Sequence, residues 1–257
     1  MKSVAAGKRF HSHFWSSVRV LMTGSALVFA GCASEDPAPT SGTASPVALN
    51  SEILPISLSA TEADRFQTVI ATTGNQYYAA GFVTVSEDAH MAVARFGTTG
   101  GLDASFGQGG IAIVNVAVGA GKKAEFARGA VVQSDGKIVI AGPIEHDTAA
   151  AGDAARDTDI AVVRFNPTGQ LDPTFGTNGI VRLDLSTGTV SGTAFRGDTS
   201  WGLTLLPGDN LLVVGGKKAD GAGRTDIDYA IVKLTAGGLL DTTFGTNGIF
   251  TLDVGTG

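Results

Sequence analysis

Short runs of β-branched and small apolar residues, each broken by a glycine-containing turn, recur along the chain and are clearest between residues 127 and 185. There ARGAVVQ (127–133) passes through the turn SDGK into IVIAG (138–142). After a variable loop, DIAVVRF (159–165) leads through a glycine-rich connection to IVRLDL (180–185). Runs of this length and composition, bounded by turn residues, predict strands. Asp135-Gly136 between two apolar runs is a hairpin signal, because both residues tolerate the positive φ of a tight turn. PGDN (207–210) and TGNQ (73–76) stand in the same place elsewhere. One such unit predicts a four-stranded antiparallel meander.

The connection repeats. LDASFGQGGI (102–111), LDPTFGTNGI (171–180) and LDTTFGTNGI (240–249) lie 69 residues apart. The register holds for Leu102, Leu171 and Leu240, for Asp103, Asp172 and Asp241, and for Phe106, Phe175 and Phe244. It holds equally for the glycines Gly100, Gly169 and Gly238, then Gly107, Gly176 and Gly245, then Gly110, Gly179 and Gly248. The physical reading is a sharp third-to-fourth-strand connection. Its first glycine supplies the bend, the Leu and Phe plug the loop into the core between units, and the Asp bonds nearby backbone N–H groups in an Asx-type turn. A site role for these aspartates, calcium included, is the weaker alternative. Asp88, Asp157 and Asp226 before the third strand, with Arg95, Arg164 and Lys233 near its end, keep the same register and are expected to link neighbouring units.

GQLDPTFGTNGI, with DGKIVIAG and DIAVVRFNPTG upstream, resembles the delta-60 repeat family, a bacterial group read as β-propellers. The resemblance spans roughly residues 64–254 and is weaker in the first copy, where GNQYYAAG replaces the DGK turn. It implies architecture and brings no established activity or ligand. The expected fold is all-β, with repeated four-stranded antiparallel blades in a partial or oligomer-completed β-propeller; a threefold β-trefoil-like closure is the alternative. Propellers close with about four to eight blades, and three are present. A fragment of a longer repeat protein and a homodimer completing the ring are both consistent with that shortfall.

The apolar periodicity is absent from the first fifty residues. Lys2, Lys8, Arg9 and Arg19 precede an apolar run, VLMTGSALVFAG (20–31), which is the layout of a secretory signal and too short to span a bilayer. The run meets Cys32, the sole cysteine, after the small residues Ala30 and Gly31, and resembles a bacterial lipobox with Phe29 at the usual Leu position. The expected organisation is a lipoprotein signal peptide over 1–31, a Pro/Ser/Thr-rich tether over 32–52 and a β-repeat domain over 53–257, with ILPISLSA (53–60) completing or capping a blade. Lipidation at Cys32 would anchor the chain to a membrane. Ala33 is not the Asp that retains lipoproteins in the inner membrane of enteric bacteria, so the analogy points to the outer membrane of a bacterial envelope.

Taking the four bases of residues 1–31 from the total of 18 leaves 14 against 24 acids, a net charge of −10. That balance argues against nucleic acid as a partner. Asp153, Asp157, Asp159, Asp220, Asp226 and Asp228 in the longer loops form a weak calcium hypothesis, since calcium takes oxygen ligands, but their spacing fits neither an EF-hand nor the glycine-rich nonapeptide repeat. His90 and His146 lie near no cysteine and in no metal-binding spacing. No nucleophile elbow or phosphate loop is present. The sequence therefore reads as a binding or scaffolding module for an unidentified protein or glycan, with no catalytic residue assigned. An envelope hydrolase acting on sugars, lactones or esters is the competing class.

Overall fold

In the computed structural model the described residues are 64–253 and 255, apart from short stretches at 74–75, 87, 117–124, 146–157, 188, 192–193, 222 and 225. The leader 1–31, Cys32, the tether 32–52 and the segment 53–60 lie outside them, as do His146, Asp153 and Asp157.

Every apolar run of the repeat forms a strand. Blade one comprises β1 (Asp64–Ala71), β2 (Tyr77–Val85), β3 (Asp88–Phe96) and β4 (Ile111–Val114). Blade two comprises β5 (Gly129–Val132), β6 (Ile138–Glu145), β7 (Thr158–Phe165) and β8 (Ile180–Leu183). A hairpin of β9 (Thr189–Ser191) and β10 (Ala194–Arg196) then precedes blade three, which is β11 (Thr199–Leu205), β12 (Leu211–Lys218), β13 (Ile227–Leu234) and β14 (Ile249–Leu252). Each blade is a meander with its strands in sequence order and every pair antiparallel.

The blades pack face to face because their strands alternate. In β6, Ile138 and Ile140 face blade one, while Val139 and Ala141 face blade three. In β7, Ala161, Val163 and Phe165 join the first interface, and Ile160 and Val162 the second. Blade two is thus apolar on both faces, and its two middle strands read as nearly continuous hydrophobic runs. Each fully buried Ile, Val or Phe contributes about 1.5–3 kcal/mol. The first strands lie side by side, β5 against both β1 and β11. Among the described residues no comparable contact returns from β11 to β1, so the three copies form an open arc of propeller blades and not a threefold closure.

Strand β6 extends beyond the predicted end at Gly142, through Pro143 to Glu145. Its partner β5 pairs only as far as Ala141, and the Pro143 carbonyl accepts a bond from Phe126 N–H at 3.2 Å on that side. The missing proline donor therefore falls where the ladder has already ended. At Gly142 a Cβ would lie 1.5 Å from the Phe126 carbonyl oxygen, so only glycine admits this approach.

The first glycine of the connection has two separable duties. Gly100, Gly169 and Gly238 share φ of +86°, +85° and +84°. A Cβ on Gly169 would lie 2.5 Å from the Gly107 nitrogen of blade one, whereas one on Gly100 would meet nothing nearer than the Tyr77 hydroxyl at 4.0 Å. Gly100→Ala is expected to cost about 1–2 kcal/mol from backbone strain alone, and Gly169→Ala distinctly more, measured by urea unfolding of each variant. Equal losses would show that close approach between blades adds nothing.

Candidate functional site

The β3–β4 connection and its equivalents build the same structure three times. Asp103 Oδ1 accepts from Ser105 N–H at 3.0 Å, Asp172 Oδ1 from Thr174 N–H at 3.0 Å, and Asp241 Oδ1 from Thr243 N–H at 3.1 Å. The hydroxyl of each of these residues donates to the same oxygen at 2.7, 2.7 and 2.6 Å. The other carboxylate oxygen pairs with the basic residue at the end of the third strand: Arg95–Asp103 at 3.0 Å, Arg164–Asp172 at 2.9 Å and Lys233–Asp241 at 2.8 Å. Sequence reading found the acids and the bases as separate sets and missed this pairing. The signal available was their constant separation of eight residues across a connection that must fold back.

Each guanidinium does more than close its own turn. Arg95 Nη1 donates to the Pro167 carbonyl at 2.7 Å, and Arg164 Nη1 to the Ala236 carbonyl at 2.6 Å, in both cases on the following blade. Beside them Gly107 N–H donates to the Thr168 carbonyl at 2.8 Å, and Gly176 N–H to the Gly237 carbonyl at 3.0 Å. The Arg95 and Arg164 guanidinium carbons stand 5.0 and 4.6 Å from the ring centres of Phe106 and Phe175, both fully buried. Planar fork geometry lets one arginine hold a carboxylate, a hydroxyl, a carbonyl and a ring face together. Lys233 is a point charge and bonds only Asp241 among the described residues.

The leucines behave differently from the expected core plugs. Leu171 and Leu240 are substantially exposed and Leu102 is half-buried. Each forms a backbone bridge to the last residue of its third strand, Phe96, Phe165 or Leu234, and Leu102 packs against Ala79, Ala94 and Phe96. Gly110, Gly179 and Gly248 pack beneath them, where a Cβ would come within 2.8, 3.2 and 3.1 Å of the leucine Cβ. Phe244 is only half-buried, unlike its two equivalents.

The opposite ends of the blades carry acids. Asp226, Asp228 and Asp253 converge, and Arg224 fills the space between them, donating from Nε to Asp226 at 3.0 Å and from Nη2 to Asp253 at 3.0 Å, with Asp228 at 3.4 Å. Hydrogen bonds from Arg224 hold the Asp226 and Asp253 carboxyls below their usual range. Asp159, Asp184 and Asp198 form a second group. Asp198 accepts from Ser186 N–H at 3.1 Å and from its hydroxyl at 2.5 Å, tying the chain before blade three. In blade one the corresponding positions hold Asp88, His90 and Asn115, with His90 Nε2 3.3 Å from Asp88. Of the weak calcium candidates, Asp226 and Asp228 thus share an arginine, Asp159 joins a different group, and Asp220 pairs with Lys217 at 2.8 Å. Asp157, the middle member of the set begun by Asp88, lies outside the described residues.

Open clefts lie along the outer edges of blades two and three. One, of about 610 Å³, is lined by Gly176–Asn178, Ile180–Arg182, Gly238 and Leu239, and its only charged side chain is Arg182.

Residues 133–175, from the β5–β6 turn to Phe175, match a family described as a domain of unknown function (DUF5122) beta-propeller. That match and the three four-stranded sheets support a β-propeller-like repeat protein. No curated protein matches the chain.

The clasp sets two expectations. Arg164 and Asp172 are both buried, so Asp172→Ala leaves an unpaired buried cation and is expected to cost about 3–5 kcal/mol. Asp241→Ala, where water reaches the carboxylate, costs far less in the same urea titration, and parity between the two would contradict the assignment. The second expectation concerns pH. Hydrogen bonds from Lys233 and then Thr243 lower Asp241 to about 2, from 3.8. The Asp172 carboxyl is raised by burial but held lower on balance by Thr174, Arg164 and Lys137. A carboxyl with a depressed folded pKa binds protons more readily when unfolded, so its stabilisation is complete above the unfolded value and is lost as pH falls towards the folded one. The melting temperature is expected to be level above about pH 5 and to fall between about pH 4 and 2, with a shallower fall in Asp241→Asn. An unchanged acid limb in that variant would contradict the Lys233–Asp241 contribution.

Proposed function

We propose that this chain is a lipid-anchored binding or scaffolding module of the bacterial cell envelope, held at the membrane through Cys32 and presenting the loop ends of its blades to a protein or glycan. The observation that carries the reading is the contrast between the two ends of the blades. At one end the connections keep a fixed length, and their charged side chains are consumed in pairs within each blade, two of which also reach the following blade through an arginine. At the other end the connection between second and third strands varies from 86–87 in blade one to 146–157 in blade two and 219–226 in blade three. Surface loops of variable length on a rigid scaffold are the usual place for recognition.

The acids at that end suit a ligand rich in hydroxyl, amide or cationic groups. The delta-60 resemblance adds no activity, and the basic leader followed by an apolar run and one cysteine supplies the address. An outer-membrane position follows from Ala33 by analogy only.

Two measurements test the two halves of this reading. In the producing bacterium, Cys32→Ser is expected to move the protein from the detergent phase to the aqueous phase on temperature-induced phase separation; unchanged partitioning would overturn the anchor. Replacing residues 148–155 by a Gly/Ser linker is expected to abolish thermal stabilisation by whichever envelope glycan or peptide stabilises the parent chain, while leaving the melting temperature without ligand unchanged. Turnover of that ligand would overturn the binding reading in favour of an enzyme.

A further inference from the structure

We propose that a second copy of this chain docks head to tail on the open face of blade three, its blade one taking the place of the next blade. The face repeats the parts that already hold two blade interfaces together. Lys233, Phe244 and the Gly245 N–H occupy the positions of Arg164, Phe175 and the Gly176 N–H in blade two, and of Arg95, Phe106 and the Gly107 N–H in blade one. Those two amides donate to the following blade, whereas nothing among the described residues accepts from Gly245 N–H.

The apolar surface follows the same pattern. Tyr229 and Leu252 are 49% and 46% exposed, while their blade-two equivalents Ile160 and Leu183, packed on blade three, are 1% and 6% exposed. Phe250 and Trp201 are open beside them, and the Trp201 ring stands edge-on to Tyr229 at 6.0 Å. A contiguous aromatic patch of this kind marks an interaction surface.

Blade one carries the matching half. Thr98 and Thr99, both exposed, stand where Pro167 and Thr168 offer carbonyls to blade one, and where Ala236 and Gly237 offer them to blade two. Gly100 keeps the positive φ of its equivalents with no neighbouring blade against it. Phe66 and Val69, at the positions of Ala127 and Ala130, which pack on blade one from blade two, are exposed at the edge of a face whose middle, Ala79, Ala94 and Phe96, is already buried within one chain, so the second copy engages its rim. Donor and acceptor halves lie on different faces, so the contact is heterologous.

The test is sedimentation equilibrium of the full chain carrying Cys32→Ser, in density-matched detergent. Twice the chain mass of 26.0 kDa is expected. Phe250→Asp with Leu252→Asp, and separately Phe66→Asp with Val69→Asp, are each expected to give monomers with the parent circular dichroism. An equimolar mixture of the two is expected to regain a dimer through its one intact interface. A monomeric parent chain at high micromolar concentration would overturn the proposal, as would a mixture that stays monomeric. Should either double variant lose its β-sheet spectrum, the parent chain still decides. Its Gly245 amide is expected to exchange hydrogen more slowly as concentration rises, and concentration-independent exchange would contradict the docking. None of these outcomes depends on whether the loops bind a ligand.

Discussion

The structure depends on the arginine clasp between consecutive blades. A four-stranded meander has two apolar faces and cannot bury either alone, so the stability of each blade rests on the next one being held at the right distance and angle. Arg164 does this with one side chain, joining the Asp172 carboxylate of its own turn to the Ala236 carbonyl of the next blade across the face of Phe175. Arg95 repeats the arrangement one blade earlier. Between Arg164 Nε and Asp172 Oδ2 the contact is an ion pair at 2.9 Å without hydrogen-bond geometry, and the cost of burying the guanidinium is offset further by its Nη bonds to Gln133, Ala236 and Thr174. An arginine in this place fixes register between blades as well as adding energy.

The division between the two ends of the molecule follows from that constraint. Connections at the clasped end must keep their length, because a residue added there would move the carbonyls that the guanidinium reaches. The opposite end is free of this requirement and carries loops of unequal length together with groups of acids. The same fold therefore supplies a constant end for assembly and a variable end for recognition. In blade three Lys233 closes its own turn, and Tyr229, Phe250 and Leu252 on the outer face of the blade are exposed.

Much of the fold was legible because the information is periodic. Strands, turns and blade boundaries follow from alternating apolar runs and from a repeat whose third strands and connections keep a spacing of 69 residues. The Asx turns followed from the repeated Asp of a sharp, glycine-flanked connection, although its Ser or Thr partner did not. Three features did not follow. The Arg–Asp pairs join residues that are eight apart in sequence and become neighbours only after the connection folds back, a tertiary fact with no helical or strand period to announce it. The leucines were assigned to the core between blades because their residue type is apolar, while Leu171 and Leu240 are exposed and Leu102 packs on blade one alone. The β9–β10 hairpin lies in a segment rich in Gly, Ser and Thr, whose composition does not separate a short hairpin from a loop.

Native-state hydrogen exchange at the Gly107 and Gly176 amides tests the central claim most directly. Both donate across a blade boundary beside the clasp. If the clasp binds the blades into one cooperative unit, these two amides exchange only through global unfolding, with the same free energy as the middle strands β6 and β7. Exchange through local opening at a much lower free energy, with β6 and β7 still protected, would show that the blades separate independently and that the clasp does not hold the structure together.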